Sequence, residues 1–189
     1  MHPLLFRLAP FNVPGTPAGN SAPTIEITGS IALEAGSVNV TYRIDGATDQ
    51  VKYAAAGAHP SRKDELWRTT CFELFMKSPS GTEYWEVNLA PSRDWNVYRF
   101  TAYRSALQPE LRIADITIAT EVAQTNLTSL RAALPLPPPL VGQQLAVGIS
   151  SVIEDTAGNL HYFALRHGGA KPDFHDPAGF DIKLDPASA

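Results

Sequence analysis

The stretch 71-CFELFMKSPSGTEYWEVNLAP-91 alternates in hydropathy, yet its polar register carries Glu73, Glu86 and Asn88 where a surface strand ordinarily carries Lys or Thr. A period of two indicates β-strands. If residues 70–77 pair with 82–89, Phe72, Leu74 and Met76 share a face with Trp85, Val87 and Leu89, leaving Cys71, Glu73, Phe75, Tyr84, Glu86 and Asn88 on the other. A four-residue loop, Ser78 to Gly81, brings the apolar sets together and sets Glu73 opposite Glu86. Like charges opposed across a strand pair cost up to about 1 kcal/mol, so this register asks for a cation, a shared proton or a ligand.

The next run, 95–104, supplies the cation. A four-residue turn "PSRD" pairs Ala90 with Trp95 and puts Arg99 opposite Glu86, with Tyr98, Phe100 and Ala102 toward the core and Trp95, Arg99 and Tyr103 on the polar face. The other register, with Tyr98 instead of Trp95 on this face, is also open. Acids, an amide and a guanidinium set among rings suit a neutral polyhydroxylated ligand, whose hydroxyls seek charged partners while its C–H faces lie on aromatic planes. A solvated sheet face carrying a Glu–Arg–Glu network accounts for the pattern equally well.

Working outward, "TIEIT", "SIALE", "VNVTYRI", "LRIADITIATEV", "LAVGISSVIED", "NLHYFALRH" and "FDIKL" are further β-like runs, several separated by glycine turns. "TNLTSLRAAL" reads as helix or strand and ends at the prolines 135 and 137–139. Eight or more short strands without a sustained helical period predict an all-β antiparallel sandwich over 24–189. Residues 1–23, with the Pro- and Gly-rich "APFNVPGTPAGNSAP", read as an irregular N-terminal arm.

The chain has 189 residues, 44% of them hydrophobic, and a net charge of −4. It lacks the basic field that nucleic acid or anionic lipid would require. With no stretch of eighteen apolar residues and an N-terminal apolar run broken by Pro3 and Pro10, neither a membrane span nor a signal peptide is expected, and the expected location is cytoplasmic. The one cysteine, Cys71, reads as a small buried hydrophobe.

"DELWRTTCFELFM", "YWEVNLAPSRDWNVYRFTAYR" and the tail "GISSVIEDTAGNLHYFALRHGGAKPDFHDPAGFDIKL" resemble DOMON-like bacterial proteins related to family-nine carbohydrate-binding modules. The resemblance runs from about Ile25 and implies a β-sandwich whose concave sheet receives a sugar or, in some DOMON relatives, heme. Family-nine modules clamp a sugar between two tryptophans; the corresponding rings here are Trp67, Trp95 and Tyr84, with Arg68 at the entrance beside Trp67. Heme-binding relatives use a methionine with a histidine or lysine. Met76 lies on the core-facing register, which counts against heme and leaves His161, His167 and His175 as its only histidine candidates in this tail. The expected protein is thus a non-catalytic binder of a small polar ligand, through Glu73, Tyr84, Glu86, Asn88, Trp95, Arg99, Trp67 and Arg68, with no cofactor.

Other constellations carry less. "RHGGAKPDFHDPAGF" matches no zinc spacing and reads as a turn with locally bonded histidines, its Lys171 and Asp173 kept as rim contacts. No convincing calcium loop is present. Glu73 and Glu86 are the pair a glycosidase would use. Direct opposition would set them too close for inverting chemistry, however, and Arg99 would hold Glu86 ionised.

Overall fold

The computed structural model describes residues 2–11, 22–34, 36–57, 59–123 and 126–186. Twelve strands, β1 to β12, make up these residues' regular structure with a few 3₁₀ turns: Leu4–Pro10, Ile25–Glu34, Ser37–Gly46, Cys71–Lys77, Tyr84–Leu89, Trp95–Phe100, Gln108–Pro109, Thr117–Ala123, Asn126–Pro135, Leu145–Glu154, Leu160–Ala164 and Ile182–Leu184. Every strand pairing is antiparallel, in the order β7-β6-β5-β4-β10-β11-β1-β2-β3-β9-β8, with β12 also on β10. The expected sandwich is therefore present. The ambiguous run "TNLTSLRAAL" is strand β9, because its leucines Leu127, Leu130 and Leu134 are needed in the core.

One strand joins the two layers. β1 pairs with β2 from Leu4 to Leu8, then with β11 at Ala9 and Pro10. Leu4–Pro10 is thus ordered sheet rather than irregular arm, a correction to the expected boundary at residue 23; residues 12–21 of that arm lie outside the described residues. Phe6 and Leu8 sit in the core, and this burial offsets the entropy of ordering the segment.

The core lies between the layers. Phe72, Leu74, Met76, Trp85, Val87 and Leu89 face Ile27, Ile31, Val40, Tyr42 and Leu130. Tyr42 crosses the whole interface and donates its hydroxyl to the Glu73 carbonyl at 2.8 Å. At about 25 cal/mol per Å² of apolar area, a cluster of this size is the main stabilising term of the fold.

The strand-pair faces fall as the alternation predicts, but both registers differ. Glu73 pairs with Asn88, and Phe75 with Glu86. The hairpin loop is two residues longer than the expected four, which slides the pairing without turning either strand over, since the change is even. The second turn is a different matter. Leu89 pairs with Trp95, so five residues intervene and β6 is turned over relative to the expected pairing. Arg93 adopts the left-handed backbone region at φ 71°, its N–H bonds the Ala90 carbonyl, and the Ala90 N–H bonds the Asp94 carbonyl. The Asp94 carboxylate then ties the turn to Ser92, Ser61 and Lys63.

Candidate functional site

Both faces of β4, β5 and β10 are buried, unlike a sheet that turns one side to water. The outer face carries a second apolar cluster of Phe75, Tyr84, Tyr98 and Phe100, covered by Trp67, Phe174 and Phe180. Tyr84 and Phe100 stack with ring centroids 4.7 Å apart. Gly148, opposite Phe75, makes room for this cover: a Cβ there would come within 3.1 Å of the Gly179 carbonyl.

Next to this cluster opens a cavity of about 620 Å³. Glu73 and Glu86 open onto it with Val152; Trp67, Phe100, Tyr162 and Phe174 supply rings; Arg68, Arg104 and Lys171 supply cations. The two glutamates are 3% and 5% exposed. One Glu73 oxygen accepts from the Ser150 hydroxyl at 3.0 Å, and one Glu86 oxygen from the Asn88 amide at 2.7 Å. Because Glu73 faces Asn88 and not Glu86, the carboxyls are diagonal neighbours on one surface. Burial raises the pKa of both above the ordinary carboxylate range, and the charge of Glu86 raises that of Glu73 further.

The segment after β11 closes one side. Asp173 accepts from the Tyr103 hydroxyl at 2.6 Å and from the Arg104 guanidinium at 2.8 Å, and its carboxylate also accepts the His175 N–H. His175 Nδ1 lies 2.8 Å from the Tyr84 hydroxyl, which itself accepts the Arg104 N–H at 3.1 Å. Nε2 is 3.7 Å from Glu86, too far for a hydrogen bond. Burial, with help from the Arg104 charge, lowers the His175 pKa to about 4, so the ring is neutral near pH 7. The histidines of this segment therefore do not bond locally as expected: His175 reaches β5, and His167 bonds the Ala9 carbonyl.

Of the eight predicted site residues, Glu73, Glu86, Trp67 and Arg68 line the cavity. Tyr84 lies in the buried cluster beside it, and Asn88 holds Glu86. Trp95 and Arg99 are corrections. The flipped β6 puts Trp95 in the inter-layer core at 3% exposure, under the Arg62 guanidinium, and sets Arg99 opposite Trp85, where it pairs with Glu83. Tyr98 and Phe100, in the core under the first register, take the outer face, which is the other register the sequence left open. Cys71 is fully buried on that face, its thiol 3.4 Å from Oδ1 of the Asn88 side chain. Sequence reasoning missed Phe100, Arg104, Leu107, Tyr162 and Phe174 as cavity residues. The available signal was the aromatic density of the tail, which was read as a turn.

No protein-family model and no curated protein matches the sequence. Among solved structures, the chain is similar to a protein of Bacteroides uniformis ATCC 8492 provisionally described as carbohydrate-binding (TM-score 0.66, 14% identity, 96% of this chain and 85% of that one). It is also similar to a family-nine carbohydrate-binding module of Caldicellulosiruptor kristjanssonii in complex with glucose (TM-score 0.51, 11% identity, 89% and 80%). At these identities the likeness is one of fold.

Proposed function

We propose that the protein binds a saccharide, without transforming it, in the cavity over the outer face of β4, β5 and β10. The observation that carries this reading is the pairing of buried hydrogen-bonding carboxyls, Glu73 and Glu86, with the ring-bearing walls Trp67, Tyr162 and Phe174 around one opening. A cavity of about 620 Å³ falls within the general range of roughly 300–1,000 Å³ for small-ligand sites. The fold shared with a glucose-bound module is consistent with it. Within the DOMON-like resemblance, the heme alternative has weaker support: Met76 is fully buried in the other face, His161 bonds Asp155, and of the tail histidines only His175 lines the cavity.

Calorimetric titration against a panel of mono- and disaccharides tests the reading. Wild type is expected to bind at least one sugar, and Trp67→Ala to weaken it about tenfold or more, a loss of about 1.4 kcal/mol. Binding to none of the panel overturns the reading, as does binding that neither Trp67→Ala nor Glu86→Gln alters.

A glycosidase using Glu73 and Glu86 is a second reading that the geometry favours more than the sequence did. The carboxyls are diagonal instead of directly opposed, Arg99 is absent from their face, and a carboxyl kept protonated by burial is what acid catalysis requires. Release of chromophore from aryl glycosides, abolished in Glu73→Gln, would establish that reading over simple binding.

A further inference from the structure

We propose that the saccharide this cavity selects carries a free amine, and that Glu73 and Glu86 together seat its ammonium group. This inference rests on the saccharide reading above and names the class of ligand. Its basis is an imbalance of charge among the groups around the two carboxyls. Each glutamate is nearly inaccessible, yet among the described residues each receives only one hydrogen bond, and from a neutral donor: Ser150 for Glu73, Asn88 for Glu86. A buried carboxylate commonly has several donors or a cation, because removal from water costs more than one neutral hydrogen bond returns.

The surrounding groups do not supply that cation by contact. On β4 and β5 the neighbours are Cys71, Tyr84 and Asn88; β6 presents Tyr98, β10 presents Ser150 and β11 presents Tyr162. Tyr42 approaches from the core side and binds the Glu73 carbonyl, not its carboxyl. Of the cations on the cavity wall, Arg68 holds Glu65 and Arg104 holds Asp173, the Arg104 charge lowering the Glu86 pKa in part against burial without a hydrogen bond to it. Lys171 makes no ion pair with either glutamate within 4 Å, and Nε2 of His175 stops 3.7 Å short on a ring whose burial keeps it neutral. The cavity thus joins a doubly acidic surface to walls whose arginines are already engaged.

An ammonium placed between the carboxyls changes this balance. In the free protein, burial and mutual repulsion keep a proton on the pair near neutral pH. On binding R–NH₃⁺ that proton passes to solvent, both carboxyls become acceptors for ammonium N–H groups, and the net charge of the site is unchanged. A neutral sugar leaves the proton in place and meets one ionised and one protonated carboxyl, so only one of the two makes charge-assisted hydrogen bonds, which are about twice as strong as neutral ones.

The test is calorimetric titration of the full chain with glucosamine, glucose and N-acetylglucosamine, the last keeping the nitrogen but removing its charge. Glucosamine is expected to bind about tenfold or more tightly than either at near-neutral pH, and the preference to narrow toward about pH 5, where the pair holds its protons more firmly. Its binding heat should vary with buffer ionisation enthalpy, reporting the released proton, while that of glucose should not. In Glu73→Gln or Glu86→Gln the preference should fall to within about twofold. Equal affinity for all three sugars overturns the amine assignment and leaves saccharide binding intact; binding of none overturns both. Since the three-sugar comparison uses wild type alone, a variant that fails to fold does not blunt it.

Discussion

On the outer face of β1, β2, β3, β8 and β9, Arg7 meets Glu26 and Arg131 meets Glu121, all of them exposed side chains. On the outer face of β4, β5 and β10, Glu73 and Glu86 are buried and met by a serine and an asparagine. Both faces begin from alternating strands. β3 keeps the plain alternation of buried and open positions expected of a half-solvated sheet, whereas β5 and β10 are buried at every position. Covering by the 66–68 turn and the segment after β11 makes the difference. It also reverses the electrostatics: hydrogen bonding by Ser129 and the charge of Arg131 lower the Glu121 pKa, while burial raises those of Glu73 and Glu86. The same residue type is therefore a surface ion-pair partner in one layer and a candidate ligand group in the other.

The contrast is sharpest for ring burial. Phe75→Ala is expected to cost about 3–5 kcal/mol in urea unfolding, as much as a deletion between the layers, because Phe75 is 1% exposed on what would otherwise be a wetted face. Thr41→Ala, on the open face of the other layer, should stay within about 0.5 kcal/mol. A cost below about 1 kcal/mol at Phe75 would show that the cover is loose and would remove the contrast.

Stability against pH should separate the faces next. A carboxyl that titrates higher in the fold than in the unfolded chain keeps its proton after the unfolded chain has lost it, so stability falls as pH rises from the ordinary carboxylate value toward the folded one. Glu86→Gln should flatten this fall and be more stable than wild type at about pH 8, with the gain absent at about pH 4. Glu110 behaves oppositely. Arg112 hydrogen bonds hold its pKa down to about 2, so its contribution should be lost as pH drops from the ordinary value through that point, and Glu110→Gln should remove the loss. Matching pH profiles for Glu86→Gln and Glu110→Gln would break the distinction.

Cutting one tether of the cover gives a smaller effect. Asp173→Ala removes bonds to Tyr103 and Arg104 and should cost about 1–2 kcal/mol, with faster amide exchange at Arg104 and His175 while β2 and β3 remain protected. Exchange spread evenly over both layers would argue against a locally held cover. Smallest of all, Glu121→Gln should leave the urea midpoint nearly unchanged, and what shift there is should fade in high salt.

Legibility from sequence followed the same division. Phe72, Leu74, Met76, Trp85, Val87 and Leu89 were readable as one face because side-chain direction on a strand depends only on parity, and the loop between β4 and β5 preserved it. Glu73 and Glu86 followed as cavity residues. Trp95 and Arg99 were misplaced because the parity of β6 depends on whether four or five residues make the turn, which Arg93 in the left-handed region and the Asp94 side chain settle through contacts with Ser61 and Lys63, some thirty residues away. The place of His175 was misread and that of Phe174 missed because their partners lie on strands nearly a hundred residues earlier or across a loop that no local period reveals.

What the sequence determined alone was the alternation: which residues must be strands, that they are short and antiparallel, and which of two faces each side chain on β4 and β5 takes. The tertiary structure decided whether a face is wet or dry. Periodicity records only the direction of a side chain, whereas its solvent, and with it the protonation and binding capacity of a glutamate, is set by whatever distant segment comes to lie over it.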